Sequence, residues 1–252
     1  MKTARIDSAS DPAARDVRLS RAGRSVKIVA PVGTFSYYHP RQPFTGYGWD
    51  TQSASLLLLD PEPDSILILG LGGGTAARQC RLMFPRASIV GVDSDPRVLE
   101  LAYRHCDLRS CGVEVRLTTG TEFLRRTRRR FCAVIDDMWP PERGGPKPIF
   151  CEPDWMRLVR SRLRPRGLYA VNLYSRRAHA SEVPSAIRLL APHFRELREL
   201  RPGLGPTAVL AAGDELLSPR AARARLARLP NRWAGALGHV SFLKVRSPER
   251  EA

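Results

Sequence analysis

From residue 65 to about residue 190 the chain alternates short aliphatic runs with segments whose apolar positions recur every three or four residues. A short aliphatic run bounded by glycine, proline or polar residues reads as a strand buried on both faces, and the three-and-four spacing reads as an amphipathic helix. The pattern predicts strand 66–70 with helix 75–84, strand 88–93 with helix 96–105, and strand 113–118 with helix 121–128. Strand 131–136, a long loop and helix 153–163 follow, then strand 167–173 with helix 181–191. A repeated strand–helix order implies a parallel sheet with helices on both faces and a ligand edge at the carboxyl ends of the strands. Past this core the rhythm changes. Segments 194–200 and 207–212 read as two strands pairing antiparallel across Pro202-Gly203-Leu204-Gly205-Pro206, and 219–229 as a helix made cationic by Arg220, Arg223, Arg225 and Arg228.

Upstream of the core, Val26-Lys27-Ile28-Val29 and Thr34-Phe35-Ser36-Tyr37 read as a hairpin broken at Pro31-Val32-Gly33. The glycine and aromatic loop from Phe44 to Asp50, followed by a short helix over 52–58, is expected to fold over the ligand edge as a lid and to bring Tyr47 and Trp49 to an acceptor. Residues 1–24 are polar and basic without periodicity, as expected of a flexible arm. The predicted organisation is an arm at 1–24, a hairpin with its lid-like loop at 25–60, and one α/β domain at 61–252.

Composition narrows the classes. The 252 residues suffice for one sizeable core, and no apolar run approaches the ~18 residues of a membrane span. The N-terminus lacks a signal-peptide core, so a cytoplasmic location is expected. Cys80, Cys106, Cys111, Cys132 and Cys151 form no C-x-x-C pair and the five histidines are scattered, so no metal site is assigned. The net charge of +16 points toward nucleic acid. Only four of the 41 basic residues are lysines, however, and the arginines are spread over many segments without interleaved aromatics, so nucleic acid is not the expected partner.

The candidate chemistry lies in Ile66-Leu67-Ile68-Leu69-Gly70-Leu71-Gly72-Gly73-Gly74-Thr75. A strand that turns through glycines into a helix presents backbone amides to a nucleotide-like ligand. Asp93 closes the next strand, where a carboxylate can accept bonds from two ribose hydroxyls. Gly70-x-Gly72-x-Gly74 looks like the S-adenosylmethionine loop of class I methyltransferases. Gly72-x-Gly74-x-x-Ala77 also satisfies the dinucleotide pattern, so the glycines alone leave a nicotinamide oxidoreductase open. The antiparallel strand near the C-terminus favours the methyltransferase-like sheet.

These motifs, with Val92-Asp93-Ser94-Asp95-Pro96, Glu122-Phe123-Leu124, Ala133-Val134-Ile135-Asp136-Asp137 and Leu163-Arg164-Pro165-Arg166-Gly167-Leu168, resemble in order and spacing the spermidine synthase-like branch of the class I S-adenosylmethionine-dependent methyltransferase superfamily. The resemblance implies a doubly wound, mostly parallel Rossmann-like sheet with an antiparallel C-terminal strand. It implies S-adenosylmethionine, or alternatively its decarboxylated form, held by Gly70, Gly72, Gly73 and Gly74 at the methionine side. Asp93 and Ser94 would meet the ribose, and Thr119 and Gly120 the adenine. Asp136 would orient or deprotonate the acceptor, with Tyr47, Trp49, Asp137 and Trp139 lining its site and Asn172 and Tyr174 nearby. The base is needed because an alkyl amine is only about 0.1% neutral at pH 7, and only a free lone pair attacks the sulfonium carbon.

Three departures bear on the acceptor. Where aminopropyltransferases carry an aspartate in the glycine loop this chain has Gly72, on the adenine side it has Thr119, and the second acid of their D-x-x-D-P motif is Trp139. A doubly charged amine would enter such a site without its partners, at a large desolvation cost. The expected activity is therefore methylation of a small molecule, with aminopropyl transfer to a polyamine and a non-catalytic cofactor-binding protein as alternatives. A homodimer is compatible with these features, and the loop 140–148 is the expected substrate gate.

Overall fold

A computed structural model describes residues 17–31, 33–140, 146–175 and 182–245. Most of the basic arm, the middle of the gate loop and residue 181 of the predicted helix 181–191 lie outside the described residues.

The hairpin forms and gains a third strand. β1 (Arg18–Ala22), β2 (Ser25–Ala30) and β3 (Gly33–Tyr38) make a small antiparallel sheet in the order β1-β2-β3. β1 comes from the segment read as flexible arm. Its alternation is weak and four of its five residues are exposed, so pairing with β2, not burial, holds it in place.

The chain then enters helix α1 (Gly48–Ser55), a 3-10 turn at Leu56–Leu58, and the large sheet. The parallel strands are β4 (Ser65–Leu69), β5 (Ser88–Asp93), β6 (Val113–Leu117), β7 (Phe131–Asp136) and β8 (Leu163–Tyr174). β9 (Glu196–Arg201), β10 (Thr207–Gly213) and β11 (Ser241–Lys244) complete it in the order β11-β9-β10-β8-β7-β4-β5-β6. β10 is antiparallel to both β8 and β9, as the sequence predicts. β4 has successors on either side, β5 on one and β7 on the other, and such a switch point opens a crevice at the strand ends.

Two apolar layers sandwich the sheet. Ile66, Ile68, Ala133 and Ile135 face α1, α2 (Thr75–Met83) and α3 (Pro96–His105). Leu67, Leu69, Val134 and Tyr169 face α4 (Gly120–Arg126), α6 (Trp155–Arg162) and α7 (Glu182–Leu190), while the short α5 (Pro148–Cys151) enters the same layer through Ile149. Helices α8 (Pro219–Ala227) and α9 (Asn231–Leu237) lead to β11. The sequence reading assigned neither α9 nor β11, which are short and take their stability from the sheet edge. Among the described residues no helix is long and apolar enough to cross a membrane.

Candidate functional site

Leu69, the last residue of β4, pairs with Val92 of β5 on one side and Asp136 of β7 on the other. The glycine turn, Asp93 and the Asp136-Asp137 pair therefore leave the sheet at the same edge. In the turn, the amides of Gly70 and Leu71 both donate to the Val92 carbonyl at 2.9 and 3.0 Å, and Gly74 donates to Leu71 at 3.0 Å. Gly70, Gly72 and Gly74 have φ of +81°, +54° and +80°, the left-handed region that a side chain strains. The chain's own backbone also needs these glycines. A Cβ on Gly70 would stand 2.5 Å from the Asp137 carbonyl oxygen, and one on Gly72 would collide with the Phe35 carbonyl of β3.

Asp93 fastens the turn. Its Oδ2 accepts from the Gly72 amide at 2.7 Å and its Oδ1 from the Asp95 amide at 3.0 Å. Burial pushes its pKa above the usual carboxylate range, and these amides oppose the shift. The Ser94 amide acts on the same carboxylate, whose two oxygens offer about four acceptor sites, so capacity for a further donor remains. Ser94, beside it, is exposed, and Asp95 caps α3 by accepting from Arg97 and Val98. Thr119 caps α4, its hydroxyl accepting from the Glu122 amide at 3.2 Å, and Gly120 lies directly under the Met138 sulfur.

Asp136 is the last residue of β7 and Asp137 the first beyond it, and the two carboxylates meet different partners. Asp136 turns into the second apolar layer and is 0% exposed. It accepts from the Tyr169 hydroxyl at 2.6 Å and the Met138 amide at 3.1 Å, and Trp155 Nε1 donates in turn to the Tyr169 oxygen at 3.0 Å. Burial raises its pKa, with the Lys147 charge opposing. Asp137 instead is half-buried and accepts at Oδ1 from Asn172 Nδ2 at 2.8 Å and Trp139 Nε1 at 2.9 Å. The Trp139 ring lies 4.5 Å from that of Tyr174. The carboxylate expected to meet the acceptor is thus enclosed, and its neighbour in sequence is only half-buried.

The loop read as a lid is tied down. Asp50, wholly buried, accepts from the amides of Thr45 and Gly46 at 2.9 and 2.7 Å and from Gln79 Nε2 at 2.7 Å. Burial raises the pKa of Asp50 against these donors. Tyr47 packs over Gly205 and is 41% exposed, while Trp49 packs against the first apolar layer. The structure joins Asp137, Trp139, Asn172 and Tyr174 into one cluster.

Sequence reasoning missed Tyr169, Trp155 and Lys147. A hydroxyl and an indole in otherwise apolar buried elements were the available signal, since each needs a polar partner. Lys147, 1% exposed, gives no signal of its own, because its burial follows from the packing of Ile149 in α5.

The residues present suit an adenosyl ligand. The left-handed glycines lead into the α2 N-terminus and Asp93 retains acceptor capacity, while the chain itself packs Ser36 against Gly73 and Leu108 against Gly74. One acceptor at the acceptor wall is left over: Asn172 Oδ1 is buried without a partner, while its Nδ2 donates to Asp137.

Sheet order, glycine turn and the acid closing β5 together define a class I methyltransferase-like fold. No protein-family model matches the chain. Among curated proteins it is similar to a "probable polyamine aminopropyl transferase" of Bifidobacterium longum, 29% identical over 130 residues that cover 51% of this chain and 28% of that protein. It is also similar to the eEF1A lysine and N-terminal methyltransferase of Bos taurus, 30% identical over 135 residues covering 48% of this chain and 19% of that protein. The chain thus spans less than a third of the length of these two relatives. A solved structure of a "probable spermidine synthase" from Corynebacterium glutamicum superposes with a TM-score of 0.71 at 17% identity, covering 90% of this chain and 87% of that one. Human methyltransferase-like protein 13 in complex with SAH gives 0.59 at 24% identity over 75% and 88%. Relatives and neighbours are spermidine synthase-like proteins and class I S-adenosylmethionine-dependent methyltransferases, the branch that the motifs resemble.

Proposed function

We propose that this chain is an S-adenosylmethionine-dependent transferase that methylates an acceptor other than a doubly charged polyamine. The observation that carries the reading is the joint placement of the positive-φ glycine turn and Asp93, locked to it through the Gly72 amide, beside an acceptor wall built from Asp137, Trp139 and Asn172. In this reading Gly70 and Gly72 to Gly74 hold the methionine side, Asp93 and Ser94 the ribose, and Thr119 with Gly120 the adenine. The cofactor supplies an electrophilic methyl group on a sulfonium. The chain's residues hold the acceptor in line and take its proton.

Asp137 is the better placed base, since it is only half-buried and is held by Asn172 and Trp139 of the acceptor wall. Asp136, enclosed behind it, supports the loop geometry by accepting from the Met138 amide. Decarboxylated S-adenosylmethionine with aminopropyl transfer is the second reading, supported by the aminopropyltransferase relatives. Product analysis with both donors and a panel of amines, phenols and peptides separates them. Methylated product from S-adenosylmethionine alone is expected. Consumption of only the decarboxylated donor contradicts the methyl-transfer reading.

A further inference from the structure

Of the lysines in the described residues, Lys147 alone is buried. Its Nζ stands 3.8 Å above the centroid of the Trp139 ring and donates to the Met138 carbonyl. The charges of three carboxylates act on it, those of Asp136, Asp137 and Glu182. All three are held in place by other donors: Asp136 by Tyr169, Asp137 by Asn172 and Trp139, and Glu182 by the Tyr174 amide at 2.6 Å. The lysine is therefore not what orients them.

An aromatic face, a carbonyl oxygen and surrounding carboxylates are the groups that recognise a primary ammonium ion. Here the Trp139 face and the Met138 carbonyl meet an ammonium near the carboxyl end of β7, with three carboxylates near enough for their charges to act on it, and that ammonium belongs to the chain. We propose that Lys147 occupies from within the position an acceptor's ammonium group would take beside Asp136 and Asp137, and so excludes cationic amines from the site. The inference rests on the reading that the acceptor binds at this edge. It adds the reason for the acceptor's chemistry: a second ammonium would meet a like charge in a desolvated space already neutralised, a repulsion that discriminates against one substrate class. An uncharged or aromatic acceptor meets no such barrier. Burial lowers the Lys147 pKa while the three carboxylates oppose it, as for a cation confined in a dry site.

The test uses the full chain, with propylammonium chloride as probe and 1-propanol as the uncharged control. Lys147→Ala leaves an ammonium-shaped space among acids, so propylammonium should raise its melting temperature saturably and bind it at least tenfold more tightly than wild type. 1-Propanol should leave both unchanged. Lys147→Met keeps the unbranched stem without the charge and should gain no such binding. Equal responses of wild type and Lys147→Ala to propylammonium overturn the inference, as does stabilisation by 1-propanol of the same size. If Lys147→Ala is insoluble, recovery on refolding with propylammonium but not 1-propanol supports the proposal, and equal recovery overturns it. Calorimetry with S-adenosylmethionine on the same samples keeps the two readings apart. Cofactor binding without a gain for propylammonium defeats this inference alone, while absent cofactor binding defeats the methyltransferase reading and leaves the ammonium result to stand by itself.

Discussion

At the scale of single residues, one step along the chain at the end of β7 decides which carboxylate is enclosed. Asp136 and Asp137 are chemically alike, yet one lies among Tyr169, Trp155 and the second apolar layer and the other meets Asn172 and Trp139. The sequence does reveal that an acid closes this strand. It does not reveal which of the two turns inward, because that depends on Tyr169, 33 residues away in β8. The enclosed acid has a pH signature. Burial raises its pKa above the ordinary value of 3.8, so the folded chain holds the proton at pH values where the unfolded chain has lost it. Stability from this group is complete below the unfolded pKa and is lost as pH rises through the folded one. Asp136→Asn removes that contribution, so the unfolding free energy of the variant minus that of wild type should increase from about pH 4 to pH 7 in denaturant melts. A constant difference would show that the carboxyl is solvated.

Elements were legible where periodicity was long and obscure where contacts made them. The five strand–helix pairs of the core lie within a few residues of their predicted bounds, since burial on both faces writes a continuous aliphatic run. α1 is the contrary case. It is polar along its length, Gly48-Trp49-Asp50-Thr51-Gln52-Ser53-Ala54-Ser55, yet almost wholly buried, because Asp50, Ser53 and Gln79 satisfy one another there. The sequence signals only its later part, as the helix read over 52–58 that Leu56–Leu58 continue. The small sheet is attached similarly, through Thr75 at the start of α2, whose hydroxyl accepts from the Tyr37 amide and donates to the Tyr37 carbonyl, both at 2.9 Å. The free edge of β3 is thereby fastened to the helix that carries the glycine turn. Thr75→Val keeps the shape and leaves both Tyr37 groups without partners, which should cost about 2 kcal/mol in urea melts. A loss below about 0.5 kcal/mol would mean that water reaches the Tyr37 backbone.

For the molecule as a whole, the fold class followed from the order of elements and the candidate ligand from the spacing of glycines and acid, because both are local in sequence. The acceptor side was less legible, since Asp137, Trp139, Lys147, Asn172 and Glu182 converge from separate elements. The arginine excess finds a partly structural use: Arg126 pairs with Glu122, Arg129 with Glu114, Arg164 with Asp64 and Arg225 with Asp60. These pairs are largely exposed and each contributes at most about 1 kcal/mol. The central claim is that Asp93 and the glycine turn hold an adenosyl sulfonium at the carboxyl ends of β4 and β5. Calorimetric titration of S-adenosylmethionine into wild type and Asp93→Ala tests it most directly. Saturable one-site binding by wild type, weakened about 10- to 100-fold in a folded variant by loss of charge-assisted bonds to the ribose, is the predicted result. Equal affinity in the two proteins, or no binding by wild type, would contradict it.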